Sequence, residues 1–409
     1  MTDDDRPTSS EPQDRTAARS PALVIVCNSI PPYRVHLHRR VAREIPELKL
    51  WTLITHENRG DRWGYHPSDE IGPVLFGPGE ETSQQGALRY AVHEWRKGGR
   101  IIRWMEQRNI RAVVLCGYND LARVRILLWC SRRALPSFIF GDANVLIERP
   151  WFLKKLVKHC VVRPLLRIAT GVLVCGRNGQ AFYQKFGVPK EKINWFPYEP
   201  NFDEIRSLDS TFIERVREEY SLQPHRRRIV FSGRLIDWKR ADMVIDAFTR
   251  IASERPEWDL IIIGDGPLRE NLEGRVPPHL RPRVRFTGFI TQQTKISALY
   301  RMSDVLAHPA NNEQWALVVQ EAAAAGLALV VADTVGSAIE LVRDGINGRR
   351  FRTDDLADLV HALRDVTSAD RINEMKAASA QALWQWRQIY DPVNGLRLAL
   401  FPSKQLKIA

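Results

Sequence analysis

Short, almost wholly apolar runs recur along this chain, and helical segments lie between several of them. This alternation is typical of parallel α/β sheets. The first block contains Ala22–Cys27, Leu48–Ile54, Ala112–Cys116, Ser137–Phe140 and Gly171–Cys175. The second block contains Arg228–Ser232, Asp259–Gly264, Val284–Gly288, Val305–Ala307 and Leu329–Ala332. The sequence therefore predicts an α/β protein with two Rossmann-like, doubly wound parallel-sheet domains.

The two blocks are separated around residues 195–207, where Pro197, Pro200 and charged residues interrupt the apolar pattern. We predict a disordered tail over 1–20, a first domain over 21–200 and a second domain over 201–380. A helical segment over 381–409 is expected to pack back on the first domain. Ligands of doubly wound sheets bind at the carboxyl ends of the strands, so the cleft between the two domains is the expected site.

Composition narrows the possible partners. The chain has 409 residues and a net charge of +12, which favours anionic partners. It contains no helix-turn-helix, zinc-finger or ribonucleoprotein pattern, so nucleic acid is not expected. It has neither an apolar run long enough to span a membrane nor a signal peptide, and a cytoplasmic location is expected. The cysteines lie in apolar surroundings without metal-ligand spacing, and all five are predicted to be reduced core or near-core residues (Cys27, Cys116, Cys130, Cys160, Cys175).

Two carboxylates flank the segment between Asn311 and the Ala-rich run that follows it. Glu313 lies in a polar turn, whereas Glu321 lies in a helix that ends at Gly326. If the helix begins near Trp315, its free amides face the same cleft as Glu313 and can bind phosphate. Glu321 can then accept hydrogen bonds from neutral hydroxyls such as those of a ribose. Spacing alone favours two solvated surface residues, but the surroundings reverse this interpretation, because a carboxylate between a helix and a sheet needs a partner or a ligand.

Three loops of the second domain carry further candidates. Gly233 lets a backbone approach a ligand, and Arg234 and Lys239 suit a diphosphate, although a solvated basic loop has the same composition. The turn at Gly264 follows an apolar strand but lacks the features of a dinucleotide fingerprint. The backbone of Phe289 and Ile290 can contact a flat base, or it can form a plain turn.

Together, these motifs resemble the donor half of family 4 glycosyltransferases, the glycosyl transferases group 1. They are Ser-Gly-Arg-Leu with Lys239, Ile-Gly-Asp-Gly-Pro, Phe-Thr-Gly-Phe, His-Pro-Ala-Asn-Asn-Glu and Glu-x7-Glu, and they lie between residues 228 and 351. The resemblance implies the GT-B fold, transfer with retention and no metal cofactor. It also implies that Arg234 and Lys239 hold the donor diphosphate, Glu321 the ribose and Glu313 the donor sugar.

The same resemblance makes 21–200 the acceptor-side domain and 201–380 the nucleotide-sugar donor domain. The amides of Ala316 and Leu317 are expected to contact the phosphates. Relatives commonly have Gly-Phe-Gly where this chain has Gln314-Trp315-Ala316. Because both glycines are replaced, the identity of the donor sugar does not follow from the resemblance.

The first domain departs further from the family pattern. Relatives have a glycine-rich loop after the first strand, whereas this chain has Asn28–Arg34, in which Arg34 is a candidate for an anionic acceptor or the donor phosphates. Many relatives place a histidine where this chain has Asp142, which is a candidate acid/base or sugar contact. Asn119 follows another strand and is a third acceptor-side candidate. The sequence indicates no histidine as a site residue; His308, for example, precedes a proline.

The segment from Trp151 to Ile168 carries five basic residues and no acidic residue. Apolar residues lie at helical spacing on its other side, which is the composition of a helix at an anionic lipid surface. An amphipathic helix that packs on its own sheet has the same composition. With 88–108, which is rich in tryptophan and arginine, it suggests peripheral attachment to the inner face of a membrane.

The hypothesis from the sequence is a metal-independent, retaining glycosyltransferase. It transfers a sugar from a nucleoside-diphosphate sugar to a glycan or lipid-linked acceptor in polysaccharide or glycolipid synthesis. One alternative is a degenerate GT-B subunit that binds a membrane or a partner transferase. Another is a nucleotide-sugar epimerase on the same fold.

Overall fold

The computed structural model of the chain describes residues 20–57, 67–82, 88–147, 152–368 and 370–402. Within them the strands are β1 (Ala22–Cys27), β2 (Lys49–Ile54), β3 (Pro73–Leu75), β4 (Ile110–Cys116), β5 (Ser137–Gly141), β6 (Gly171–Val174), β7 (Ile193–Trp195), β8 (Arg227–Ser232), β9 (Trp258–Ile263), β10 (Val284–Gly288), β11 (Val305–His308), β12 (Ala328–Ala332) and β13 (Gly348–Phe351). The predicted tail over 1–20 lies outside the described residues, except for Ser20.

The helices of the first domain are α1 (Pro32–Glu44), α2 (Ala91–Glu106), α3 (Leu121–Arg132), α4 (Phe152–Ile168) and α5 (Arg177–Lys185). Those that follow are α6 (Phe202–Arg206), α7 (Ser210–Glu219), α8 (Ala241–Ile251), α9 (Arg269–Arg275), α10 (Gln293–Arg301), α11 (Leu317–Ala324), α12 (Ala338–Leu341), α13 (Leu356–Val366), α14 (Ile372–Ile389) and α15 (Pro392–Leu400). No helix among the described residues is long and apolar enough to cross a membrane.

In the described part of the chain the strands form two parallel sheets, as the apolar runs predict. The first has the order β3-β2-β1-β4-β5-β6-β7 and the second has the order β10-β9-β8-β11-β12-β13. The central strands are buried on both faces, which explains why their sequences are apolar throughout instead of alternating. The predicted fold class, two doubly wound α/β domains, is confirmed.

Each sheet reverses its strand order once, between β1 and β4 in the first sheet and between β8 and β11 in the second. In the second sheet Val305 and Leu306 of β11 pair in parallel with Ile229 and Val230 of β8. The loops that leave two such strands diverge and open a crevice at the carboxyl edge of the sheet. The structure therefore places a binding crevice directly above β8 and β11.

The chain returns to the first domain after α14. The ring of Tyr390 lies edge-on to Trp195 of β7, with the ring centroids 4.7 Å apart. Arg397 of α15 donates to Glu47 at 2.7 Å. Between the domains, Glu199 is buried and accepts hydrogen bonds from Arg40 at 2.7 Å and Arg387 at 2.9 Å. These contacts fix α14 and α15 against both domains.

Candidate functional site

An ion pair between Lys239 and Glu313 lies in the crevice of the second sheet. The loop after β8 carries Lys239, and the loop after β11 carries Glu313. The ammonium of Lys239 donates to Oε2 of Glu313. His308, the last residue of β11, is fully buried, and its Nε2 lies 3.5 Å from the same carboxylate oxygen. The strand order thus brings together Lys239 and Glu313, which are predicted donor residues, and His308, which is not predicted from the sequence.

The charge of this cluster follows from its surroundings. Burial disfavours the ionised carboxylate of Glu313, but the hydrogen bond with His308 and the positive charge of Lys239 outweigh it and lower the pKa to about 2. Burial lowers the pKa of His308, which is therefore neutral at pH 7. The ligand-free site holds a carboxylate and an ammonium in contact, with a neutral imidazole behind them.

Arg234 provides a second cation at the same edge. It is exposed, and no hydrogen bond or ion pair within the described ranges engages its guanidinium. A guanidinium and an ammonium on one loop match the two charges of a diphosphate, the first as a planar fork and the second as a point charge. Arg234 is therefore available to bind an anion. Lys239 must either break its ion pair with Glu313 or bind the anion and Glu313 at the same time.

The helix that carries Glu321 begins later than predicted. It starts at Leu317, not near Trp315, because Ala316 has a left-handed φ of +73° that ends the preceding loop. Glu321 therefore lies just over one turn into α11. Its carboxylate accepts hydrogen bonds from Gln293 Nε2 at 2.9 Å and from the Tyr300 hydroxyl at 3.4 Å, both on α10. Burial raises the pKa of Glu321 to about 7, and these two hydrogen bonds offset only part of that rise.

The glycine loops of the second domain meet above β8, β9 and β10. Gly264 has a φ of +134°, and a Cβ at this position would lie 2.0 Å from the carbonyl oxygen of Gly233. Only glycine allows these two loops to approach so closely. The amide of Gly264 also donates to the carbonyl of Gly288 at 3.1 Å. Phe289 and Ile290 follow directly, with Phe289 partly exposed and Ile290 buried, at the edge where the sequence predicts contact with a base.

On the first domain, Asp142 and Arg34 meet at the hydroxyl of Tyr198. This hydroxyl donates to Oδ2 of Asp142 at 3.4 Å and accepts from Arg34 at 3.4 Å. Arg34 is buried and also donates to the backbone oxygen of Ser29 at 2.9 Å. Burial raises the pKa of Asp142, although a hydrogen bond, Arg34 and Tyr198 each act in the opposite direction. Asn119 is exposed on the neighbouring loop after β4, at the same sheet edge.

Several hydrogen bonds and packing contacts join the two domains beside these candidates. Asn144, two residues after Asp142, donates to the backbone oxygens of Thr334 and Glu313. Gln320 of α11 donates to the carbonyl of Tyr198 at 3.0 Å and accepts from the indole of Trp315 at 3.0 Å. These contacts depend on how the domains dock, so no local sequence pattern indicates them.

One group among the described residues has the geometry of a metal site. His56, Glu80 and Glu94 have ligand atoms within 4.8 Å of one another. The ammonium of Lys97 already donates to Glu94 at 2.9 Å and to Glu80 at 2.5 Å, and its side chain is fully buried. A positive charge thus occupies the position that a cation would take. The cluster follows β2 of the first domain and is separate from the donor candidates.

One expectation needs correction. Cys160 is exposed on α4, so the prediction that all five cysteines are core or near-core residues is wrong for it, because that helix turns this side away from the sheet. The sequence indicates no histidine as a site residue, whereas the structure places His308 3.5 Å from the carboxylate of Glu313. Of the predicted basic segment, Trp151 lies outside the described residues, and the side chains of 152–158 are not described. The predicted helix itself is present as α4.

The chain resembles solved GT-B proteins over nearly its whole length. The Anabaena protein HepE, in complex with UDP and glucose, superposes with a TM-score of 0.68 at 16% identity, covering 93% of this chain and 99% of that one. At this identity the likeness establishes the fold. The architecture of two Rossmann-like domains around a cleft is therefore GT-B.

Sequence comparison points to one family over part of the chain. Residues 212–382, which include most of the second domain, match the family model for glycosyl transferases group 1. Alpha-D-kanosaminyltransferase of Streptomyces kanamyceticus is 28% identical over 50% of this chain, a match that spans only about half of that relative's length, 53%. The lipopolysaccharide core mannosyltransferase LpsB of Rhizobium meliloti is 26% identical over 76% of this chain and 82% of its own.

Proposed function

We propose that the chain is a glycosyltransferase that moves a sugar, of the hexose type, from a nucleoside-diphosphate sugar to an acceptor hydroxyl, with retention and without a metal. The observation that carries the proposal is the cluster of Arg234, Lys239 and Glu313 above β8 and β11, with Glu321 on the adjoining helix. The match of residues 212–382 to the family model for glycosyl transferases group 1 supports the same chemistry. HepE was solved with UDP and glucose, and LpsB is a mannosyltransferase.

Each part of the donor has a matching group in this cluster. The diphosphate lies against Arg234, Lys239 and the amides of Ala316 and Leu317 at the start of α11. The ribose hydroxyls donate to Glu321, which supports its ionised form when the donor binds. The base lies along the backbone of Phe289 and Ile290. Because Gly233 and Gly264 have no side chains, the donor can approach the backbone of these two loops closely.

The chemical step needs stabilisation of the charge that develops on the leaving diphosphate. Two cations, Arg234 and Lys239, and a helix N-terminus provide it electrostatically, which is the largest contribution in many enzymes. When Lys239 turns to the diphosphate, Glu313 is released to contact the donor sugar. Asp142, Arg34 and Asn119 line the opposite edge, where the acceptor hydroxyl approaches, and Asp142 is the candidate acid/base. Retention requires attack from the face that the phosphate leaves.

The replacement of both glycines by Gln314 and Ala316 is the reason to consider a degenerate subunit. The structure provides a different use for this segment. Trp315 is 3% exposed and packs at the domain seam, where a Cβ at Gly176 would lie 2.6 Å from its ring. Its side chain thus contacts the other domain and not Lys239. This placement supports a catalytic protein over a degenerate one.

The proposal is tested by incubating the purified protein with labelled UDP-, GDP- and ADP-sugars in EDTA, with glycan and lipid-linked acceptors. We expect acceptor-dependent release of the nucleotide from one donor class. Conversion of the sugar without any acceptor would indicate an epimerase instead. Absence of both nucleotide binding and transfer across the panel would contradict the proposal and favour the non-catalytic subunit.

We further propose that the acceptor is lipid-linked and that the α2 face contacts an anionic membrane. This face comprises Leu88, Val92 and Trp95, spaced by four and three residues, which are 90%, 65% and 41% exposed. Arg89 and Arg96 beside them are exposed, whereas Glu94 is buried. Apolar side chains flanked by cations are the composition of an interfacial helix. α2 begins at the carboxyl edge of the first sheet, on the side where the acceptor approaches.

Vesicle sedimentation tests this face. Binding to vesicles that contain phosphatidylglycerol, weakened several-fold by Val92→Ser with Trp95→Ser, is the expected result. Ile389→Ser on α14 is the matched control, because Ile389 is 71% exposed but lies on a different helix. Equal binding by both variants, or none by the wild type, would contradict the membrane proposal without affecting the proposed chemistry.

A further inference from the structure

We propose that Asn144 is a positioning residue that sets the separation between Asp142 and Glu313 across the cleft. The inference rests on the proposed function, because it assigns a reaction to the two carboxylates. It adds a residue that neither the motifs nor the family match indicates. Asn144 belongs to the acceptor-side domain, but both acceptors of its side-chain amide belong to the donor domain.

Three hydrogen bonds hold the side chain of Asn144 in place. The residue has no exposed surface. Its Nδ2 donates to the backbone oxygen of Thr334 at 2.8 Å and to that of Glu313 at 3.3 Å. Its Oδ1 accepts from the amide of Leu146 at 3.0 Å, which holds the side chain in this rotamer. A buried amide with all of these bonds formed has one stable orientation.

The two ends of this connection lead directly to the carboxylates. Asn144 is two residues beyond Asp142 in the loop that follows β5. On the other side it binds the backbone of Glu313 itself, whose carbonyl also accepts from Gly336 at 3.4 Å. The path from one carboxylate to the other therefore consists of a two-residue step and one hydrogen bond.

The consequence concerns geometry and not affinity. Reacting groups must lie within about 3–3.5 Å in the reactive complex, and a displacement of 1 Å can reduce turnover by about a hundredfold. Asn144 does not contact the predicted diphosphate, ribose or base positions. Loss of its bonds should therefore reduce kcat and leave the dissociation constant of the nucleotide unchanged.

Asn144→Asp provides a sharp test because aspartate has nearly the same shape as asparagine. It replaces the Nδ2 donor by a carboxylate oxygen that faces the carbonyl oxygens of Thr334 and Glu313. Charged groups on the two segments that Asn144 joins are Asp142 on its own loop, Glu313 with its partner Lys239, and Asp333 beside Thr334. Burial and these carbonyls raise the pKa of the introduced carboxyl. Once protonated, its O–H donates to Thr334 and restores one bond.

We expect Asn144→Asp to lower kcat by about ten- to a hundredfold at pH 8, with the nucleotide dissociation constant within twofold of wild type. As the pH falls towards 5.5, both kcat and Tm should recover relative to wild type measured at the same pH. If Asn144→Asp does not fold at pH 8, its refolding at low pH is the readout. Asn144→Ser, which keeps a hydroxyl donor, should retain part of the turnover.

Arg177→Gln is the matched control. Arg177 also joins the domains, donating to the backbone oxygen of Ile339 at 2.5 Å and pairing with Glu340, but it does not bind the Asp142 loop. In this variant kcat should show no recovery at low pH, whereas Tm can recover because the buried Glu340 carboxylate loses its partner, so kcat is the readout that separates the two variants. Unchanged kcat in Asn144→Asp, or a loss that does not depend on pH, would overturn the positioning role while wild-type transfer continues. A wild type that transfers nothing would instead contradict the proposed function.

Discussion

Replacing Glu321 by glutamine should stabilise the ligand-free protein at alkaline pH while weakening its affinity for a nucleotide. Burial raises the pKa of this carboxyl from its usual 4.5 to about 7. Below pH 4.5 it is protonated in both the folded and the unfolded state, so it costs nothing. As the pH rises from 4.5 to about 7, the carboxyl ionises in the unfolded state but stays protonated in the folded state, so stability falls progressively, and above pH 7 the loss is complete.

The pKa rise sets an upper limit to the effect. A difference of about 2.5 pH units corresponds to ~3.4 kcal/mol. Because Glu321 is partly exposed to the open cleft, water screens its charge, and we expect about 1–2 kcal/mol at pH 8. For a domain of this size that is a rise in Tm of about 2–8 °C. Glutamine keeps an oxygen acceptor for Gln293, and its NH2 group can donate to the Tyr300 hydroxyl, so the packing is retained.

The assay is a series of melting curves between pH 4.5 and 8.5 for wild type and Glu321→Gln, with Glu270→Gln on the exposed side of α9 as a control. The two Tm curves should converge near pH 4.5, separate between pH 4.5 and 7, and stay apart above pH 7. Added nucleoside diphosphate should stabilise wild type more than the variant. A constant offset at all pH values, or a lower Tm for the variant at pH 8, would refute the reasoning.

Three further predictions follow from the same contacts. Lys239→Ala and Arg234→Ala should each reduce kcat at least about tenfold, as expected on removing a group that stabilises transition-state charge, with Tm little changed; wild-type turnover in both would exclude their phosphate role. Ala316→Gly should leave stability unchanged or raise it by up to about 1 kcal/mol, because glycine accepts the left-handed φ of +73° without strain; clear destabilisation in a urea titration would contradict this. Glu199→Gln should destabilise the protein by about 3 kcal/mol at pH 7, since two arginines lose a buried partner. Although burial opposes it, pairing with His36 and Arg387 lowers the pKa of Glu199 to about 2, so the deficit should shrink as the pH falls below 4.5.

The fold class could be predicted because central strands buried on both faces leave continuous apolar runs. The short strands β3, β7 and β13 at the sheet edges were missed. β13 (Gly348–Phe351) contains two arginines, and β7 (Ile193–Trp195) has three residues, all partly exposed. An edge strand packs against one neighbour only, so its sequence is not required to be apolar.

The donor candidates Arg234, Lys239 and Glu313 could be proposed because they lie in loops that directly follow apolar strands. The start of α11 could not be placed, because an alanine in a left-handed conformation gives no sequence signal. His308 ends β11 at the crevice, but its place before a proline gives no signal of a site residue. Asn144 gains its contacts with Thr334 and Glu313 only when the two domains dock, and the Asp142 partner of Tyr198 lies more than fifty residues away in the chain.

The most direct test of the account is the Tm of the purified protein, in EDTA, against UDP, GDP, ADP and their sugar conjugates. A ligand at a hundred times its dissociation constant should stabilise the protein by about 2.7 kcal/mol, a shift of several degrees. We predict a selective shift with one base that is lost in Lys239→Ala. No shift with any nucleotide at millimolar concentration would contradict a nucleotide-sugar site above β8 and β11.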